Sequence, residues 1–168
     1  VNGEAVYVYG NTDISFTSNS LVGWTTGSTD GTINDGACGE NIISVGASTS
    51  AKWFPTLSRG VYSYNGATAP GTIAPFSSYG TTFQGVNKPD VTGPGTAIVS
   101  SYSRFYVSTL KLGNTNLCAS VTRSGVTNYW GPMQGTSMSC PFVSGVVALW
   151  LQANPNLKYE DVMKVIKN

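Results

Sequence analysis

The strongest constraint on the fold is a stretch near the C-terminus that is apolar almost all the way round. From Met138 to Gln152 the chain carries Val143, Val146, Val147, Ala148, Leu149, Trp150 and Leu151. A helix with apolar residues on every side has no natural solvent face and needs cover from other elements. The stretch predicts a buried helix over Met138 to Gln152, with Pro141 in its first turn, where a missing N–H breaks no intrahelical bond. Asn154-Pro155 ends it. A second helix is expected over Lys158 to Lys167, with Leu157, Val162, Val165 and Ile166 at helical spacing. Its acids, Glu160 and Asp161, lie near the start and its bases, Lys164 and Lys167, near the end, as the helix dipole favours.

The remainder reads as short strands and turns. Ala5 to Tyr9 is β-branched and aromatic and stops at Gly10-Asn11, a strand followed by a turn. Residues 12–41 read as loop, with turn signals at Asp30-Gly31 and Asp35-Gly36. Asn41 to Ala47 is apolar with little alternation, as in a strand of a parallel sheet covered on both faces. Residues 48–75 read as a surface excursion with aromatic clusters at Trp53-Phe54 and Tyr62-Ser63-Tyr64. Residues 88–101 read as extended pieces around Gly93-Pro94-Gly95. Residues 102–134 predict a β-rich excursion, with Phe105-Tyr106-Val107 as a strand and turns at Gly113-Asn114 and Ser124-Gly125.

Composition narrows the function. The 168 residues suffice for one domain, and 40% of them are hydrophobic, which argues against disorder. Only 10% are charged and the net charge is +1, so there is no basic stripe for a nucleic acid. No apolar run is long enough to span a membrane, and no signal peptide is visible. The chain opens directly into the first strand, so an excerpt of a longer protein is expected. Cys38, Cys118 and Cys140 allow at most one disulfide and match no zinc spacing. Cys140, inside the apolar run, reads as a small buried residue. Asp30, Asp35 and Glu40 share one polar loop and read as solvated carboxylates rather than metal ligands.

Gly135-Thr136-Ser137-Met138 precedes the apolar helix. A serine there has its hydroxyl at a tight turn, beside first-turn N–H groups and the positive end of the helix dipole. That setting suits acyl transfer, whose tetrahedral intermediate carries an oxyanion. Helix logic alone prefers a plainer reading, with Thr136 or Ser137 as an N-cap.

The wider spelling favours the chemistry. Gly135-Thr136-Ser137-Met138-Ser139-Cys140-Pro141-Phe142-Val143-Ser144-Gly145 resembles the nucleophile segment of the subtilisin-like proteases, the subtilases. Small serines replace alanines at 139 and 144, and Phe142 stands where the family has a non-catalytic histidine. Lys88-Pro89-Asp90-Val91-Thr92-Gly93-Pro94-Gly95, Ala74-Pro75-Phe76-Ser77-Ser78-Tyr79-Gly80 and Ile42-Ile43-Ser44-Val45-Gly46-Ala47 resemble three further family segments, in the family's order. The resemblance covers roughly residues 5–166. It implies an α/β fold, a three-layer α/β/α sandwich around a mostly parallel sheet, with residues 1–168 forming the C-terminal portion of one catalytic domain and the N-terminal side incomplete. It implies that Ser137 is the nucleophile and that Asn11 donates to the oxyanion; the competing reading of Asn11 is an ordinary turn residue. Tyr7, Val8, Tyr9 and Gly10 would line the substrate pocket.

A serine needs a base to take its proton, and the sequence has no histidine. In the family the aspartate and histidine precede the segment that Val8 to Asn11 resembles. The expected function is therefore peptide-bond hydrolysis through an acyl-enzyme on Ser137, with this chain alone inactive. The alternatives are a catalytically inactive subtilase-like binding or structural domain, and a secreted β-rich adhesin, which the apolar helix disfavours. The expected partners are a polypeptide substrate and the N-terminal part of the same domain. No cofactor is expected in this span, though the family often holds calcium elsewhere, and a secreted or cell-envelope location is implied.

Overall fold

The computed structural model describes residues 17–23, 26–29, 31–64 and 66–168. The expected strand Ala5 to Tyr9, with Asn11 beyond it, lies outside the described residues. A single 3-10 turn, Asp35–Ala37, precedes β1, Val45–Ser48. Then follow β2, Trp53–Pro55, β3, Val61–Ser63, β4, Gly80–Thr81, β5, Asn87–Lys88, β6, Val91–Pro94, and β7, Ile98–Tyr102. The chain continues through α1, Arg104–Thr109, β8, Ala119–Arg123, β9, Val126–Met133, α2, Thr136–Ala153, and α3, Tyr159–Lys167.

Helices and strands mix in an α/β arrangement. Among the described residues the strands form small sheets, and one pair, β1 with β6, is parallel, from Val45↔Val91 to Ser48↔Pro94. α2 packs across this pair. The contact is close because the strand residues are small. Ala47 is fully buried, and a Cβ on Gly95 would lie 2.5 Å from the Ala47 Cβ and 2.6 Å from the Ser139 Oγ. The pair is pinned at its entry by a buried ion pair. Lys88 Nζ donates to Asp90 Oδ2 at 2.6 Å and to the Ile42 carbonyl at 3.0 Å, and the same carboxylate oxygen accepts from Ser44 N at 2.8 Å. Thr96, 1% exposed, accepts from Ser50 N and donates to the Ala51 carbonyl, fixing the exit of the pair.

α2 is longer than expected, and its setting differs. Only Ser139 is buried; Val143, Val146, Val147 and Trp150 are half-buried, and Phe142, Leu149 and Cys140 are exposed. A two-stranded pair covers one face of a helix, so the other apolar face meets solvent. Cys140 is on that open side, against the buried position expected for it. The earlier helix start also moves Pro141 into the second turn. There its missing N–H deprives the Ser137 carbonyl of the usual intrahelical partner. α3 follows expectation, with Val162 and Met163 buried and acids and bases at the predicted ends. Its Tyr159 hydroxyl donates to the Glu40 carbonyl at 3.2 Å.

The excursion at 102–134 is a three-stranded antiparallel sheet, order β7-β9-β8, with Ser124 and Gly125 at positive φ turning the β8–β9 hairpin as expected. Phe105-Tyr106-Val107 is helix, not strand. Ser103 caps α1 by accepting from Tyr106 N at 3.1 Å, and Val107 is buried beneath it. Tertiary packing outweighs the strand preference of those residue types. Gly113-Asn114 turns a loop rather than a hairpin, donating no strand pair. The β2–β3 hairpin is joined to this excursion, with Leu57 N donating to Leu117 O and Ser58 N to Asn114 O. Phe54 packs on Tyr64 with ring centroids 5.3 Å apart.

Candidate active site

The nucleophile candidate is set by the turn between β9 and α2. β9 delivers the chain at Met133, opposite Ile98 of β7. Gly135 N then donates to the Gly95 carbonyl at 2.8 Å, and Met138 N donates to the Gly135 carbonyl at 3.0 Å. Gly135 has φ 145° and ψ 161°, a combination that suits glycine and strains other residues. The turn is therefore bonded to the loop leaving β6, and its backbone is drawn in a conformation only glycine holds at ease.

Gly135 is the N-cap of α2, and it provides no side-chain cap. This removes the plainer reading of the serine and threonine, since neither Thr136 nor Ser137 is spent on capping. Ser137 is the second helical residue and is exposed. Its hydroxyl has no hydrogen-bond partner among the described residues. The amides of Thr136 and Ser137 belong to the first turn, where no preceding carbonyl of the helix can accept from them. A hydroxyl, first-turn amides with no preceding helical carbonyl and the positive helix end thus lie at one exposed turn, an arrangement that can serve as the binding and attacking half of an acyl-transfer site.

Among the described residues no proton-accepting side chain is hydrogen-bonded to Ser137. Asp90 is held by Lys88 and Ser44 N in its buried ion pair. No other carboxylate lies between it and Glu160 in sequence. Asn11 and the pocket candidates Tyr7, Val8, Tyr9 and Gly10 lie outside the described residues. So does Asp30, and among the described residues no three His, Cys, Asp or Glu side chains gather as a metal site. Glu40 is exposed. The three cysteines are free thiols, and burial pushes the Cys118 thiol up from its ordinary value.

Two positions at the site carry more than their sequence suggested. Gly95 was visible as part of a Pro-Gly pair, but its carbonyl as the anchor of the nucleophile turn was not. Ser139, within an apolar run, is completely buried and its Oγ has no hydrogen-bond partner. Its i+2 spacing from Ser137 is the one signal that it faces inward while Ser137 faces out.

Residues 5–168 match the model of the subtilase family. The chain belongs to the subtilase family. Among its curated relatives is "Serine protease AprX" of Bacillus subtilis, 37% identical over 97 residues, which are 58% of this chain and 20% of that protein. "Calcium-dependent protease" of Trichormus variabilis is 46% identical over 55 residues, 33% of this chain and 8% of the relative. "Subtilisin-like protease SBT4.7" of Arabidopsis thaliana is 42% identical over 83 residues, 48% of this chain and 10% of the relative. The chain thus matches a fifth or less of the length of these relatives. No solved structure matches it. No helix among the described residues is long and apolar enough to cross a membrane.

Proposed function

We propose that this chain is the C-terminal portion of a subtilase catalytic domain and that Ser137 is the nucleophile of a serine endopeptidase. The observation that carries the reading is the uncapped, exposed hydroxyl of Ser137 on a glycine turn bonded to Gly95. In this mechanism Ser137 Oγ attacks the peptide carbonyl and forms an acyl-enzyme. The first-turn amides stabilise the oxyanion, with the Asn11 side chain as a second donor, and Tyr7, Val8, Tyr9 and Gly10 line the substrate. Removing one such donor raises the barrier by about 3–4 kcal/mol. Since the 168 residues hold no histidine, the base and its aspartate come from residues outside them, and the chain alone is inactive. The α/β core belongs, on this reading, to a three-layer sandwich on a larger parallel sheet, in a secreted or cell-envelope protein.

Calcium is named for some of the relatives. The described residues gather no carboxylate cluster to hold it, so no step of the reaction is assigned to a metal.

The test uses the full-length protein and a fluorophosphonate probe. Rapid labelling that maps to Ser137 and disappears in Ser137→Ala supports the reading. Intact protein that resists labelling, with unaltered folding by circular dichroism, overturns it. A second reading, a subtilase-like domain that binds without cleaving, is favoured by the missing histidine alone, and that same unlabelled outcome would select it.

A further inference from the structure

An open cavity of about 650 Å³ lies between α1 and β9. Arg104, Phe105, Ser108 and Lys111 line it from the helix side, and Thr127 and Tyr129 from the strand. We propose that this cavity is a docking site for an acidic segment of the polypeptide substrate, with Arg104 and Lys111 receiving its carboxylates and Phe105 the neighbouring apolar surface. The proposal rests on the protease reading for its physiological occupant.

Three observations support it. First, the charge is one-sided. No Asp or Glu occurs between Asp90 and Glu160, while Arg104, Lys111 and Arg123 all fall in that interval. Neither Arg104 nor Lys111 has an anionic partner among the described residues, so both cations are available. Second, the platform is ordered rather than loose. Ser103 caps α1, Val107 is 7% exposed beneath it, and Tyr102 stacks edge-on with Tyr106 at 5.1 Å. The Tyr102 hydroxyl also donates to the Pro132 carbonyl at 2.6 Å, tying the platform to β9. Phe105 is nevertheless 79% exposed, an aromatic ring presented beside the cations. Third, β9 connects the cavity with the nucleophile turn. Tyr129 lies eight residues before Ser137, so at most about 28 Å separates them, within the span of an extended peptide of about eight residues. A substrate held at Ser137 therefore has residues within reach of the cavity.

The occupant is a peptide rather than a nucleic acid because a phosphate backbone needs a row of cations along its length, and two cations flanking a ring do not provide one. Arg104 can hold a carboxylate through two parallel hydrogen bonds, and Lys111 adds a point charge.

The experiment measures binding of fluorescent peptides by anisotropy to the full-length protein carrying Ser137→Ala, so that the readout is independent of cleavage. A glutamate-containing peptide is compared with its glutamine counterpart. The expected result is tighter binding of the acidic peptide, lost by roughly tenfold in Arg104→Gln/Lys111→Gln, as for two exposed ion pairs near the upper end of their usual strength. Both side chains are on the surface, and circular dichroism checks that the variant is folded. Equal affinity for the two peptides, or no effect of the double variant, overturns the proposal. Equal or stronger binding of a single-stranded oligonucleotide overturns the assignment to a peptide. Failure of the protease reading shows separately, as absence of cleavage by the Ser137 protein while acidic-peptide binding persists.

Discussion

At the scale of single residues, a buried ion pair and a buried hydroxyl make opposite contributions. Lys88 and Asp90 are an ion pair with side chains only 3% and 4% exposed. Removing one partner strands the other charge in the interior, so Lys88→Met is expected to cost about 3–5 kcal/mol, measured by urea unfolding. Lys88→Met/Asp90→Leu should recover part of that loss, because no charge remains buried. Ser139 is the reverse case. Its hydroxyl is buried without a partner, so Ser139→Ala should raise stability by about 1 kcal/mol in the same measurement. The sequence made Ser137 legible, because the glycine turn and the apolar helix fix its position. It misplaced Cys140, because the strand pair covers only one face of the helix, and Pro141, because a helix start two residues earlier moves it from the first turn to the second. Gly95 as an anchor was illegible, because a hydrogen bond across so long a sequence gap leaves no local trace.

At the scale of elements, backbone hydrogen bonds from Leu57 and Ser58 join the β2–β3 hairpin to the loop before β8, and aromatic side chains gather near the join. Tyr64 is the clearest reporter. Burial, with Tyr102, Cys118 and Tyr106 nearby, pushes its phenol from 10.0 up to about 12. A raised phenol favours the neutral form in the folded state. Its contribution is complete below pH 10 and is lost as pH climbs toward about 12. Wild type should therefore lose stability over that interval more steeply than Tyr64→Phe, as followed by circular dichroism against pH. The hairpin turn at Ser124-Gly125 was readable because two positive φ values have a local residue signature. Helix α1 was not, since Phe105, Tyr106 and Val107 carry strand preference and only the capping Ser103 pointed the other way.

At the scale of the whole molecule, the apolar helix α2 is covered on one face and bare on the other. Phe142 is 55% exposed and Leu149 64%. An apolar face of this kind drives association. The 168 residues on their own are expected to scatter light in a concentration-dependent way, and Phe142→Ser/Leu149→Gln should reduce that scattering; a monodisperse wild-type species would contradict the expectation. The α/β class was implied by the resemblance to the subtilases, and periodicity marked the two C-terminal helices, but the extent of cover was not legible, because periodicity shows that a face is apolar and says nothing about which elements reach it. The bond from Gly135 N to the Gly95 carbonyl has a consequence in time as well as space. It closes a loop that contains β7, α1, β8 and β9, so forming it carries a loop-closure entropy cost that rises with the length of that segment. A nascent chain that has not yet reached Gly135 has no clamp to close, so the turn that carries Ser137 is tied to Gly95 only after all of that segment has been synthesised.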